Sequence, residues 1–194
     1  MKKSLKEHLD IIVKLIENNS DALLIEELED LTKRHPKLFW GWLYMAHELI
    51  HVARYDEAMS AIKKAEKYGK QEGQIKIYAL KERLYRKKGD FRTAEYWAKK
   101  AAEMDDEGVH YILLGSVLAR QGKFEEAKKA HMKAIKLGKA DTDEAHLNLG
   151  YIYRAEKNYG EALKHACKAL EICPDYREAE RLKKDLEEVM KAKR

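Results

Sequence analysis

The chain has little that would interrupt or cross-link a helical fold. Only 2 of its 194 residues are proline, so few positions lack the N–H donor that a helix needs. Its 2 cysteines, Cys167 and Cys173, are six residues apart and would face different sides of one helix, which disfavours a disulfide between them. No apolar run reaches the length of a membrane span, and Lys6, Glu7 and Asp10 interrupt the apolar core that a signal peptide needs. These absences predict a helical protein of the cytoplasm.

Several motifs of catalysis and ligand binding are also missing. The sequence has no glycine-rich phosphate loop, no recognisable Ser-His-Asp set and no alternating strand pattern. Hydrophobic residues make up 45% of the chain and charged residues 38%, a balance that favours a helical globular protein. The net charge of +5 is far below that of a dedicated nucleic-acid binder. We therefore predict a protein that is not an enzyme and carries no cofactor.

A short sequence motif that recurs along the chain is its most informative feature. Each copy is a polar turn followed by an aromatic residue, at Tyr55, Phe91, Phe124 and Tyr159. An alanine lies three residues after each of these aromatics. The aromatics are separated by 36, 33 and 35 residues, and a period in the thirties indicates one supersecondary unit that is stacked several times.

The last copy, between Glu144 and Pro174, is the most regular. It reads His146-x-x-Leu149-Gly150-x-x-Tyr153, then Ala162-x-x-x-Ala166, Ala169 and Pro174. This pattern resembles the tetratricopeptide repeat (TPR), whose consensus is Trp-x-x-Leu-Gly-x-x-Tyr, then Ala-x-x-x-Phe, Ala and Pro. The resemblance extends over about residues 5–176. It implies an all-α fold, a right-handed α-α superhelix of five TPR-like helix pairs followed by a C-terminal capping helix.

The repeats also predict boundaries. We expect a single solenoid domain over residues 1–194, with repeats at about 5–38, 39–74, 75–107, 108–142 and 143–176 and the capping helix at about 175–191. The paired helices are expected at 5–18, 21–34, 38–52, 55–68, 74–88, 91–105, 108–121, 124–138, 143–156 and 159–172. Small residues such as Gly115 and Gly150 would let paired helices approach closely. One pair cannot bury its apolar face alone, so neighbouring pairs must stack.

In the family that the sequence resembles, the first helices of the pairs line a concave groove that receives a partner. Projecting these helices assigns fifteen residues to the groove: Trp40, Leu43, Tyr44, His47, His51, Arg83, Arg86, Lys87, Ile112, Ser116, Arg120, Leu147, Asn148, Tyr151 and Arg154. The set combines an apolar and aromatic edge with a band of arginines and one lysine. Such a groove suits a protein or peptide partner that is partly acidic and offers apolar anchors. We therefore predict a non-catalytic scaffold for protein–protein interaction.

The cationic band has other interpretations. Basic residues in the last turn of a helix are favoured by the helix dipole without any partner. The band could instead bind RNA, in which case binding would fall steeply with salt. Residues 5–38 carry a net charge of −3 and residues 108–142 a net charge of +4, so head-to-tail self-association is also possible.

One motif suggests an enzyme. His47-Glu48-Leu49-Ile50-His51 matches the His-Glu-x-x-His sequence of zinc metalloproteases, in which two histidines bind zinc and the glutamate acts as general base. A zinc-dependent hydrolase is therefore the rival function. No third ligand follows at a recognisable place, and the sheet that normally supports such a helix has no counterpart. We therefore assign neither a metal ligand nor a catalytic residue from the sequence.

Overall fold

The computed structural model describes residues 3–18, 20–70, 73–104, 107–139 and 142–192. Within these residues the chain forms eleven α-helices and no strand, which confirms the all-α prediction. The helices are α1 Leu5–Glu17, α2 Asp21–Arg34, α3 Phe39–His51, α4 Tyr55–Tyr68, α5 Gln74–Lys87, α6 Phe91–Glu103, α7 Val109–Arg120, α8 Phe124–Leu137, α9 Thr142–Ala155, α10 Tyr159–Ile172 and α11 Arg177–Ala192. The observed ends lie within two residues of the predicted ones. Some predicted boundaries lie outside the described residues, among them the end of α6 at residue 105. The same holds for the parts of the predicted domain and repeats at residues 1–2, 19, 71–72, 105–106, 140–141 and 193–194.

None of the described helices is both long enough and apolar enough to cross a membrane. The longest, α11, has 16 residues, whereas a span needs about 20 apolar residues. The cytoplasmic location stays a prediction.

The chain divides into two compact units, which we name the first unit (Met1–Trp97) and the second unit (Ala98–Arg194). In the first unit, α3 packs against both its partner α4 and the next first helix, α5. Leu49, Ile50 and Ile62 are almost fully buried between these helices, together with Leu28 of α2. This arrangement is the one expected of stacked helix pairs. The prediction of a single solenoid domain stays a prediction.

The second unit repeats this arrangement with smaller side chains at the contacts. The helix α7 packs against α8 and α9, and α9 packs against α10 and α11. A Cβ atom at Gly150 would lie 2.8 Å from Cδ2 of Leu182, so α11 can approach α9 because this residue has no side chain. Only one face of α11 is buried, through Ala179, Leu182 and Leu186. The amphipathic eleventh helix therefore covers the preceding pair, as predicted.

The turn inside each helix pair has the same backbone geometry in four copies. Two residues before the recurring aromatic, the chain adopts a positive φ, at Ala53 (61°), Gly89 (79°), Gly122 (74°) and Lys157 (61°). The N–H of the next residue then donates to a carbonyl five residues earlier, as in Arg54 N to Leu49 O at 2.8 Å and Asn158 N to Tyr153 O at 2.9 Å. These bonds form the Schellman motif that ends a helix. The recurring sequence motif therefore marks the end of the first helix in each of these four pairs.

Candidate functional site

The first unit presents an aromatic and cationic surface on α3 and α5. Trp40 and Tyr44 lie one turn apart on α3, and each is about half exposed. Nζ of Lys76, on α5, lies 5.3 Å from the centre of the Trp40 ring, within range of a cation–π interaction. One turn beyond Tyr44, His47 contacts Arg83 of α5. Three of the predicted groove residues, Trp40, His47 and Arg83, therefore take part in contacts between the first helices of two successive pairs.

The contacts of His47 also determine which nitrogen carries its proton. A guanidinium can only donate hydrogen bonds, so the contact between Nη1 of Arg83 and Nε2 of His47 makes Nε2 an acceptor. The proton of the neutral ring is then on Nδ1, which donates to Oε1 of Glu48 at 2.8 Å. Both nitrogens of His47 are therefore engaged. The two histidines of the His-Glu-x-x-His motif contact different partners, since His51 lies beside Asp21.

The two remaining cations that were predicted for the groove in the first unit, Arg86 and Lys87, differ in their partners. Nε of Arg86 donates to Oε1 of Glu82 at 2.6 Å, and Glu82 is almost fully buried. Burial raises the pKa of Glu82, and the charge of Arg86 opposes that rise. Arg86 therefore has a structural role in compensating a buried carboxylate. Lys87 is exposed and forms no ion pair with the described residues.

The second unit contains a pocket of about 420 Å³ between α7 and α9, with α8 at its base. Four predicted groove residues line it: Ser116 and Arg120 of α7, and Asn148 and Tyr151 of α9. Nδ2 of Asn148 donates to Oγ of Ser116 at 3.3 Å. Arg120 is exposed and forms no ion pair within the described part of the chain. This pocket, which we call the α7–α9 pocket, therefore combines a free cation with neutral polar groups.

The base of the α7–α9 pocket includes a histidine that the sequence pattern did not reveal as a site residue. His131 is fully buried, and neither of its ring nitrogens has a hydrogen-bond partner among the described residues. Burial lowers its pKa to about 4, so the ring is neutral at pH 7. A Cβ atom at Gly115 would lie 2.5 Å from Nε2 of His131, so the ring fits only because α7 has glycine there. The sequence feature that could have indicated this position of His131 is the combination of Gly115 with Ala127-x-x-x-His131.

Four of the predicted residues occupy places that differ from the expected open face. Leu43, Ile112 and Leu147 are at most 6% exposed, because they pack in the cores of their units. Arg154 lies in a second pocket, where its Nη1 is 3.3 Å from Oδ2 of Asp185 in α11. The sequence pattern concerns the first helices of the pairs alone, so the contact of Arg154 with α11 was not predicted from it.

Other residues at the candidate sites come from helices or helix faces that were not assigned to the groove from the sequence. Phe124, on the second helix of its pair, and Ile152, on the inner side of α9, supply apolar walls. In the first unit, Asp21 of α2 lies beside His51, with its Oδ2 3.2 Å from Nδ1 of the ring. No sequence motif joins Asp21 to His51, because 30 residues separate them.

Comparison with known proteins agrees with the helix-pair architecture. A family model described as tetratricopeptide repeat matches residues 106–175, which contain α7 to α10. The findings of all three comparisons support a tetratricopeptide repeat protein. It is 29% identical over 143 residues to the TPR repeat-containing protein MJ1428 of Methanocaldococcus jannaschii. That match covers 68% of this chain and 25% of MJ1428, so the chain spans about a quarter of the length of this relative.

Several solved structures share the fold. TTC0263, a thermophilic TPR protein of Thermus thermophilus, has a TM-score of 0.72 at 19% identity, over 94% of this chain and 98% of the other. MamA from Desulfovibrio magneticus RS-1 has a TM-score of 0.70 at 17% identity, over 89% and 96%. YrrB has a TM-score of 0.65 at 18% identity, over 94% and 93%. The TPR fold supports protein–protein interaction, and TPR proteins bind protein or peptide partners.

Proposed function

We propose that this TPR protein is a non-catalytic scaffold that binds a peptide segment of a partner protein, with an acidic side chain of that segment held in the α7–α9 pocket. The observation that carries the proposal is the environment of Arg120. Its guanidinium is exposed at a concave pocket and has no ion-pair partner in the described residues. A carboxylate is the group that a guanidinium binds best, because the two can form paired hydrogen bonds.

The other walls of the pocket favour a peptide over a free anion. Asn148 can donate to and accept from a peptide backbone once its bond to Ser116 is exchanged. Phe124 and Ile152 offer apolar surface to a neighbouring side chain of the segment. An acidic residue next to an apolar one would therefore satisfy both parts of the pocket.

The first unit supplies a second contact surface. Trp40 and Tyr44 are exposed aromatic side chains, and the ammonium group of Lys76 lies over the Trp40 ring. Exposed tryptophan and tyrosine are typical anchors of protein interfaces. We propose that this surface also contacts the partner. YrrB, a solved structure with the same fold, is described as having an unusual peptide-binding site, which supports peptide binding as the kind of interaction.

The test selects peptides from a randomised display library with the wild-type protein, and measures the affinity of the selected peptides for two charge-reversal variants. Arg120→Glu places a carboxylate in the pocket, whereas Lys129→Glu makes the same charge change at an exposed position of α8 outside the pocket lining. We expect selected peptides to contain Asp or Glu beside an apolar residue. Arg120→Glu should weaken binding at least about tenfold, or about 1.4 kcal/mol, and Lys129→Glu should change it less than about twofold.

Two outcomes would contradict the proposal. Peptides selected without any acidic residue would show that Arg120 does not define the ligand, as would equal affinities of the two variants. Tight binding of an RNA homopolymer that falls steeply with salt would favour the alternative of RNA binding. Reversal of Arg86 is a poor test, because Arg86 compensates the buried Glu82.

A further inference from the structure

A cluster of three possible metal ligands lies in the first unit, outside the peptide-binding surfaces proposed above. Asp21 begins α2, and Glu48 and His51 lie one turn apart on α3. One ligand atom from each side chain lies within 4.8 Å of the other two. The cluster therefore brings together two carboxylates and one imidazole from two helices.

The separation of the first two ligands already suits a metal ion. Oδ2 of Asp21 and Nδ1 of His51 are 3.2 Å apart. Two ligands bound to tetrahedral zinc at about 2.0–2.1 Å lie about 3.3 Å from each other. A cation could therefore bind between Asp21 and His51 with little movement of either side chain.

The third ligand is oriented by its neighbours. His47 donates from Nδ1 to Oε1 of Glu48 and accepts from Arg83 at Nε2. This chain of hydrogen bonds fixes one oxygen of Glu48 and leaves the other available. A partner that holds a ligating carboxylate in place is a usual part of a metal site. His47 thus has a positioning role, which differs from the ligand role that the His-Glu-x-x-His motif would give it.

The exposure of the cluster leaves room for water. The side chains of His51 and Asp21 are 53% and 42% exposed, and that of Glu48 is 13% exposed. Water can therefore complete the coordination of an ion held by three protein ligands. One nitrogen and two anionic oxygens suit a borderline divalent cation such as zinc, whose charge the two carboxylates balance.

We propose that Asp21, Glu48 and His51 bind one zinc ion, which links the start of α2 to the end of α3. In that site Glu48 is a ligand and not a general base. Zinc bound there would stabilise the first unit by mass action, because the unfolded chain does not hold the three ligands together.

The test measures zinc binding to the full chain, purified without a histidine tag, by competition with a chromophoric chelator. We expect one zinc per chain, a tighter complex than with calcium, and a rise in the unfolding midpoint on adding zinc. Asp21→Asn and His51→Gln should each weaken zinc binding at least about tenfold. Asp56→Asn, the same change at an exposed site of α4, should leave it unchanged. His47→Gln should weaken it less than the ligand changes, because this residue only positions Glu48.

Circular dichroism will show that the variants fold, since both altered ligands are about half exposed. Stoichiometric zinc retained by a variant that combines Asp21→Asn with His51→Gln would overturn the proposal, because other histidines would then hold the ion. The proposal would also be wrong if the wild-type protein showed no zinc binding at about 100 μM free metal. Neither result bears on the α7–α9 pocket.

Discussion

The first unit holds several of its buried charged side chains in ion pairs, whereas the second unit buries neutral imidazoles. In the first unit, Nζ of Lys81 lies 2.6 Å from Glu66, and Glu27 contacts both Lys3 and His8. Among the described residues of the second unit, the buried polar side chains are His131, His146 and His165. The same helix-pair architecture thus tolerates two kinds of polar interior. The difference implies that the two units respond differently to pH and to the loss of a carboxylate.

The imidazoles of the second unit are neutral for a common reason. Burial lowers the pKa of His165 to about 4, and the neighbouring His146 adds to the shift. Burial also lowers the pKa of His146. Nδ1 of one ring lies 2.9 Å from Nδ1 of the other, so one nitrogen donates and the other accepts. Protonation of the acceptor would break this bond.

The largest expected effect is a loss of stability of the second unit on acidification. The unfolded imidazole has a pKa near 6.5, and His131 and His165 have pKa values of about 4 in the folded chain. The unfolded state therefore binds more protons between these values, so the free energy of unfolding decreases as the pH falls from about 6.5 to about 4. Each of the two rings should contribute about 2–3 kcal/mol to the loss.

All 3 tryptophans, Trp40, Trp42 and Trp97, lie in the first unit. Urea unfolding at pH 7 and pH 4.5, followed by tryptophan emission and by circular dichroism, therefore separates the two units. We expect the dichroism midpoint to fall more than the emission midpoint. His131→Phe, which restores the aromatic residue of the TPR consensus, should reduce the difference. If the emission and dichroism transitions coincided at both pH values, and His131→Phe did not alter them, the proposed difference between the two units would be wrong.

A smaller effect should distinguish the first unit. Oε1 of Glu27 lies 2.6 Å from Nδ1 of the fully buried His8, and its Oε2 lies 2.5 Å from Nζ of Lys3. Glu27→Ala would leave the imidazole buried without this partner, which should lower the free energy of unfolding by about 2–3 kcal/mol. The measurement is the urea midpoint from tryptophan emission.

The control is Glu26→Ala, which removes an exposed carboxylate from the adjacent position of α2 and should change stability by less than about 0.5 kcal/mol. Glu27→Gln, which keeps an acceptor for His8, should fall between the two. If Glu27→Ala were as mild as Glu26→Ala, the charged contacts would not be what stabilises the polar interior of the first unit.

The smallest expected effect is common to both units. Ala53 and Lys157 adopt the positive φ that glycine occupies in the two equivalent turns, at Gly89 and Gly122. A side chain is strained in this conformation, so Ala53→Gly and Lys157→Gly should each stabilise the protein by about 0.5–1 kcal/mol. Thermal unfolding measures both variants. A gain in only one of them would show that the turns differ energetically despite their shared hydrogen bonds.

The candidate sites were only partly predictable. The groove projection placed Ser116, Arg120, Asn148 and Tyr151 on two helices, and the structure brings these four residues to one pocket. It did not identify His131, because the base of the pocket comes from the second helix of a pair. The sequence pattern also did not show that the cations of the predicted band belong to two different units. That these cations form one continuous band stays a prediction.

By itself, the sequence determined the helices, their pairing and the resemblance to a repeat family, because periodic apolar positions and recurring turn residues act over short distances along the chain. Only the tertiary structure decided which cations remain free and which residues meet. Arg86 and Arg154 have carboxylate partners, whereas Arg120 has none among the described residues. Asp21 reaches His51 across 30 residues. Such contacts depend on how helices stack, which no local pattern encodes.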